Sequence, residues 1–356
     1  MRCLYFEFQI AIRTFPPLNI IAYNAFGGQS GDKLYGTEPI SYYLKALVLN
    51  TSLAFPLSCL SVPALAVATF KGWAKNEHIL ERLTISCTLV LWLAVLFSRA
   101  HKEERFLYPA YPLLSFVSAD FIVSVLFPAI RRYTESAQLS SVEEKCTNWK
   151  CKLSRVVLLL LSTVSFCLSF ARVMSNYGNY MGIFSSWQSL EDEMISLSSS
   201  SPSSLSFNIC VGNDWYTFPS HFFVTSTAKL QFVEDDFRGV LPQYFTNQNG
   251  TWAQPPQPFN NMNTEERSRY VMLESCDFLV LSTPSNGVIS SSKLRNHTEK
   301  YMKEFISFPI IDKASSPMLT RAYFIPYISA KFNKFGTYKI FAKEQTWKIS
   351  REKTVD

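Results

Sequence analysis

Charge is scarce in this 356-residue chain: 17% of its residues are Asp, Glu, Lys or Arg, against about 25% in an ordinary globular protein. That shortage argues against a plain array of soluble domains. Disorder is excluded as well, because 47% hydrophobic and 15% aromatic residues supply enough apolar surface to offset the chain entropy. Eight cysteines are too few for a small disulfide-stapled scaffold. The four histidines (His78, His101, His221, His297) have no metal-ligand spacing, and Cys146 and Cys151 lack partners, so no metal site is expected. No GxGxxG, Walker loop, HExxH or GxSxG is present, which removes the common nucleotide-binding, metalloprotease and hydrolase signatures. The mean hydropathy of +0.05 suits neither a soluble enzyme nor a chain wholly in lipid, and reads as the average of two unlike parts.

The apolar part lies first. Residues 46–70 are uncharged, residues 106–130 contain one charge (Asp120), and the shorter runs 83–98 and 156–171 contain none. A spanning helix needs about 20 apolar residues, so the short runs qualify if Arg82, Arg99, Arg155 and Arg172 snorkel to the headgroups. Four such runs predict four transmembrane helices over 46–174. Residues 1–171 carry 16 basic and 11 acidic side chains, and residues 172–356 carry 18 and 17. Most of the net charge of +6 therefore lies in the apolar part, and nothing in it points to nucleic acid. Connections 71–82 and 131–155 hold nine Lys and Arg, against five in 32–45 and 99–105, which puts the first pair on the cytosolic side. The C-terminal region then lies opposite the cytosol. Two acceptor triplets agree with that side, Asn249-Gly250-Thr251 and Asn296-His297-Thr298. A third, at Asn50, abuts a membrane segment.

Residues 1–45 read as the end of an N-terminal membrane part followed by a loop. Met1–Ile12 is apolar but holds Glu7 and has no small-residue cleavage site after it, unlike a signal peptide. Residues 175–206 read as a linker, with the serine-rich run 196–206 as a flexible loop. Residues 207–356 read as one mixed α/β domain of about 150 residues, a normal domain size. Strands are predicted at 207–211, 229–233, 277–281 and 338–342, and a helix at 293–306. Cys210 and Cys276 either pair in an oxidising compartment or remain two buried thiols.

Two short stretches concentrate chemistry. His101-Lys102-Glu103-Glu104-Arg105-Phe106 joins two membrane segments, where ionisable groups are costly unless they face water, each other or a ligand. On a helix Lys102 and Arg105 would share a face and could grip one phosphate, with His101 as donor or proton shuttle. A solvated charge cluster is the plainer alternative. On the same side lies Asp32-Lys33-Leu34-Tyr35-Gly36-Thr37-Glu38-Pro39. Asp32 and Glu38 could bond sugar hydroxyls and Tyr35 could stack on a sugar face; a simple turn is the alternative.

HKEERFLYPAYPLL, with LYGTEPISYYL and PLNIIAYNAF upstream, resembles the signature of the dolichyl-phosphate-mannose-dependent mannosyltransferases, glycosyltransferase family 22. ICVGNDWYTFPSHF, LQFVEDDFRGVLPQYF and SRYVMLESCDFLV extend the likeness to its α-1,2-transferring branch in the lipid-linked oligosaccharide pathway. The resemblance implies a multi-pass endoplasmic-reticulum membrane enzyme of the GT-C class with a lumenal mixed α/β domain, without a cofactor. It would transfer mannose, with inversion, from dolichyl-phosphate-mannose to a dolichyl-diphosphate oligosaccharide for protein N-glycosylation. It also implies roles: Lys102 and Arg105 stabilise the donor phosphate, His101 and Glu103 orient them, and Tyr35, Thr37 and Glu38 contact sugar. Family members carry an acidic loop holding the general base upstream of the region matched here, so a truncated chain is expected. A glycosylphosphatidylinositol-anchor mannosyltransferase and a non-catalytic glycolipid-binding module are the rival readings.

Overall fold

The computed structural model describes residues 34–71, 79–130, 146–199, 206–217, 220–244, 260 and 262–352. Residues 1–33 of the expected N-terminal part (Asp32 among them), residues 72–78 and 131–145 of the cytosol-assigned connections 71–82 and 131–155, residues 200–205 of the serine-rich run and Asn249 fall outside them. The chain divides into two compact units, Met1–Phe170 and Ala171–Asp356.

In the first unit, α1 (Ile40–Thr51) and α2 (Ala54–Phe70) replace the single segment expected over 46–70. They meet at a bend of 106°. The break falls on the polar pair Thr51-Ser52. The Thr51 hydroxyl bonds back to Leu47 O at 2.7 Å, competing with the helical ladder, and Ser52 takes a positive φ of 50°. Next come α3 (Ile79–Ser98), a 3-10 turn (Glu104–Leu107) and α4, which begins at Ala110, passes through a π-helical stretch at Ile122–Leu126 and ends at Ile130. Among the described residues α3, α4 and Leu153–Ser198 are long and apolar enough to cross a membrane; the bent pair makes a fourth if counted as one.

The unit's core is Tyr43 and Leu47 of α1, Leu89 of α3, and Leu107, Ala110, Leu114 and Val117. The buried positions of α2 include Ser58 and Ser61, and α4 buries Ser118; small residues let helix backbones approach closely where burial from water is not the driving force. Asp120, the one charge in its run, meets Arg82 at 3.2 Å, and Ser124 bridges them, donating to Asp120 at 2.9 Å and accepting from Arg82 at 2.6 Å. Arg82, expected to snorkel, instead neutralises an acid that would be costly in lipid alone.

Over 175–199 the expected linker is replaced by helix. A single helix, α5, runs from Cys146 to Ser199. Ile183, Trp187, Leu190, Met194 and Leu197 recur every three or four residues on one buried stripe. That stripe packs on a five-stranded sheet of order β2-β1-β3-β5-β4. The strands are β1 (Phe207–Val211), β2 (Ala228–Phe232), β3 (Phe278–Thr283), β4 (Met302–Ile311) and β5 (Phe335–Lys343). β2 and β3 flank β1 in parallel, β5 is antiparallel to β3, and β4 is antiparallel to β5. The sheet is therefore mixed. Strand alternation sends Ile209, Val211, Phe278 and Val280 to the α5 side and Cys210, Leu279 and Leu281 to the other, where Leu294 of α6 (Ser292–Tyr301) packs. Trp187 Nε1 donates to the Tyr338 hydroxyl at 3.0 Å, and burial holds that phenol above its usual range. Gly182 is needed because a Cβ there would lie 2.2 Å from Pro309 O.

The helix expected over 293–306 ends at Tyr301, and β4 takes the rest. Phe305, Ile306, Phe308, Ile310 and Ile311 favour a strand, and Pro309, which lacks a donor, is tolerated because β4 is an edge. Cys210 and Cys276 are joined by a disulfide, Cα to Cα 5.7 Å, tying β1 to the approach of β3. Closing 66 residues stabilises by about 4 kcal/mol on a chain-entropy basis. Among the described residues the unit also holds the short α-helices α7 (Met318–Ala322), α8 (Ile328–Phe332) and α9 (Glu344–Glu352).

Asp312 closes the loop after β4. One carboxylate oxygen accepts from Ser285 Oγ at 2.7 Å and Ser285 N at 3.0 Å; the other accepts from Ala314 N at 3.0 Å and Ser315 N at 3.2 Å. The Ser285 hydroxyl, then these N–H groups, hold the carboxyl well below the usual carboxylate range. A lowered folded-state pKa makes this stabilisation complete above about pH 4, where the unfolded group is ionised, and lost as acid titrates the folded group. Asp312→Asn is expected to cost on the order of 2–3 kcal/mol at neutral pH, with the gap to wild type narrowing below about pH 4. Denaturant titrations at both pH values check this; an equal gap at both would show that the charge is irrelevant.

Candidate functional site

The two sequence-picked stretches meet in the first unit. One, residues 34–39, leads into α1; the other, residues 99–109, joins α3 to α4. Glu38 N donates to Ala100 O at 3.0 Å, pairing the loops through the main chain. Gly36, at φ 96°, adopts a backbone conformation that few side chains tolerate, and its carbonyl meets His101 Nδ1 at 2.9 Å. His101 Nε2 meets Glu103 Oε1 at 2.9 Å. Both partners are acceptors, so the ring completes both bonds when each nitrogen carries a proton.

Lys102 departs from its expected place. It is buried, 6% exposed, and its ammonium donates to Glu38 O at 3.0 Å and to Arg99 O, 6.0 Å from the Tyr43 ring centre. The reason it does not share a face with Arg105 is local: Glu103 is extended (φ −125°, ψ 146°) and only Glu104–Leu107 form a helical turn. Lys102 turns inward to the loop carbonyls and Arg105 turns outward, its side chain 68% exposed. Arg105 Nε pairs with Glu103 Oε2, and the guanidinium lies 5.5 Å from the Phe106 ring centre. Glu103 thus bridges His101 with one oxygen and Arg105 with the other.

Tyr35, Thr37 and Glu38 are exposed around this bridge, with the Tyr35 ring 6.1 Å from that of His101. A further network went unnoticed in the sequence. Asn50 Nδ2 donates to Glu104 Oε1 at 2.6 Å and to the Tyr111 hydroxyl at 3.1 Å, joining the end of α1 to the turn and to α4. No spacing signal marks it, because the partners are 54 and 61 residues apart. Among the described residues, the site presents the outward Arg105 guanidinium held by a carboxylate, beside an aromatic ring, a hydroxyl and a second carboxylate. That set suits a phosphate with a sugar attached.

Residues 6–225 match the model of the Alg9-like mannosyltransferase family. The chain belongs to that family. Among curated relatives, the family member Alpha-1,2-mannosyltransferase alg9 of Schizosaccharomyces pombe is 32% identical over 338 residues, covering 92% of this chain and 55% of that protein. Alpha-1,2-mannosyltransferase ALG9 of Homo sapiens is 30% identical over 364 residues, covering 94% and 54%. GPI mannosyltransferase 3 of Aspergillus fumigatus is 33% identical over a shorter 126 residues, 35% of this chain and 16% of that protein. The chain spans about half the length of the Alpha-1,2-mannosyltransferase relatives it matches. No solved structure matches it.

Removing the Lys102 ammonium would leave Glu38 O and Arg99 O without their donor. Lys102→Met is expected to destabilise the helical unit by about 2–3 kcal/mol and to expose the 34–39 loop to protease, whereas Arg105→Met leaves melting nearly unchanged. Thermal melting and limited proteolysis in detergent check this pair; equal melting of both variants would contradict the inward role of Lys102.

Proposed function

We propose that the chain serves α-1,2 mannose transfer from dolichyl-phosphate-mannose to a dolichyl-diphosphate oligosaccharide in the endoplasmic-reticulum lumen, inverting the anomeric centre. The observation that carries this reading is the outward Arg105 on its Glu103–His101 support, in a member of a mannosyltransferase family. As the bond from the anomeric carbon to the phosphate breaks, negative charge grows on the leaving phosphate, and a preplaced guanidinium stabilises that charge more than the ground state. Glu103 and His101 orient Arg105; Lys102 is a positioning residue that clamps the two loops. Tyr35, Thr37 and Glu38 would face the sugars, Tyr35 by stacking and the others by hydrogen bonds. Transfer also needs a carboxylate to take the acceptor hydroxyl's proton. Glu103 is not assigned that task, since both its oxygens are engaged. The chemistry calls for no resident cofactor, because the donor arrives with its leaving group attached.

The lumenal placement of the sheet unit is supported by the Cys210–Cys276 disulfide, which suits an oxidising compartment, and by the basic bias of connections 71–82 and 131–155. The GPI-pathway reading is the weaker, since that match covers 35% of the chain and the alg9 match covers 92%.

In the full-length enzyme, Arg105→Ala is expected to lower transfer from dolichyl-phosphate-mannose by about 10²- to 10³-fold, with Arg105→Lys recovering part of the loss. Near-normal transfer by the alanine variant would remove Arg105 from the reaction. Asn296 is exposed on α6 and tests placement independently. If the sheet unit is lumenal, endoglycosidase treatment shifts the gel mobility of the wild type more than that of Asn296→Gln. Accessibility of this unit to a cytosol-side protease would contradict the placement.

A further inference from the structure

Between Ser316 and Asn333 the sheet unit reverses the usual sorting of polarity. Ser316, Thr320, Ser329 and Asn333 are buried. Their bonds run inward: Thr320 Oγ1 donates to Asn333 Oδ1 at 2.7 Å, Asn333 Nδ2 donates to Thr320 O at 3.2 Å, and Ser329 Oγ accepts from Ile325 N at 2.9 Å. Met318, Leu319, Phe324, Tyr327, Ile328 and Phe332 are turned outward and exposed. Tyr327 is 92% exposed and sits at φ 64°, a strained conformation for a tyrosine that lifts its ring away from the fold. A polar interior under an apolar exterior is the wrong order for water. It is the right order for a surface seated at the boundary between headgroups and acyl chains.

The anchoring of this segment gives the depth. Phe324 N donates to Ala171 O at 2.8 Å, Arg172 to Ala322 O at 3.2 Å, and Ser175 Oγ and Asn179 Nδ2 to Arg321 O at 2.7 and 3.0 Å. Ala171 is the last residue of the uncharged run 156–171, and Arg172 is the first charge after it. The segment is therefore pinned to the stretch of α5 where an apolar helix meets its first cation, the level of the headgroups in a spanning helix. Charge agrees. Residues 313–334 contain Lys313, Arg321, Lys331 and Lys334 and no acidic residue, a balance that suits the phosphates of lipid headgroups.

We propose that residues 318–332 form a lipid-docking surface, with Tyr327, Ile328 and their apolar neighbours entering the headgroup–acyl boundary and the adjacent cations meeting lipid phosphates. The occupant is the headgroup–acyl boundary of a phospholipid bilayer, and the proposal stands apart from the transfer reaction. To test it, the photoreactive residue p-benzoylphenylalanine replaces Tyr327, and separately Ile328, in the chain reconstituted in phosphatidylcholine–phosphatidylserine vesicles. Val288, an exposed residue of the same unit, is the control. After illumination, mass spectrometry is expected to find phospholipid adducts at 327 and 328 and none at 288. A crosslink to a protein segment at both positions would assign the face to a protein partner and overturn the proposal. Absence of any adduct at both, in protein that keeps its Cys210–Cys276 disulfide, would place the residues in water and overturn it equally.

Discussion

The candidate site depends on a charge that never reaches it. The Lys102 ammonium lies buried against Glu38 O and Arg99 O. A buried cation is tolerated only when its protons find acceptors, and here one acceptor, Arg99 O, lies on Lys102's own loop and the other, Glu38 O, on a loop 64 residues away in sequence. Satisfying Lys102 and closing the loops are thus one event. Once they close, Gly36 O comes within reach of His101, His101 meets Glu103, and Glu103 aims Arg105 outward. An internal cation sets the position of an external one.

The same rule governs the helices around it. Asp120 stands in an otherwise uncharged run, yet Arg82 and Ser124 complete its shell. Thr51, Thr69, Thr84 and Thr88 fold their hydroxyls back onto carbonyls four residues earlier. Each of these polar groups is satisfied within the helices rather than by lipid.

Much of this was legible from residues alone. The strand cores at 207–211, 229–233 and 338–342 announce themselves by β-branched and aromatic runs between turn residues, and the two loops by their density of ionisable groups. The helix over 175–199 is harder to see because its polar and serine-rich residues read as a linker, while Ile183, Trp187, Leu190, Met194 and Leu197 carry a helical repeat through that polar background. The 46–70 run hid its bend because Thr51 and Ser52 are uncharged and pass a hydropathy test while breaking a helix. The fate of Lys102 could not be read at all. Whether a lysine turns to a ligand or to two carbonyls depends on contacts made by distant main chain, and side-chain identity holds no record of them. The pairing of Cys210 with Cys276 was open for the same reason, since nearness in space has no local signature.

The sheet order has a consequence for how the unit is assembled during synthesis. Among the described strands β5 comes last in sequence, yet it lies between β3 and β4. Until residues 335–343 emerge, β4 has no strand to pair with, and the α5 stripe lacks Tyr338, Ile340 and Ala342 beneath it. The nascent unit is therefore a parallel three-stranded half with an open edge, and the final strand enters as a wedge. A ribosome stalled before residue 335 would display that edge to chaperones, or to a second copy of itself, for as long as the pause lasts.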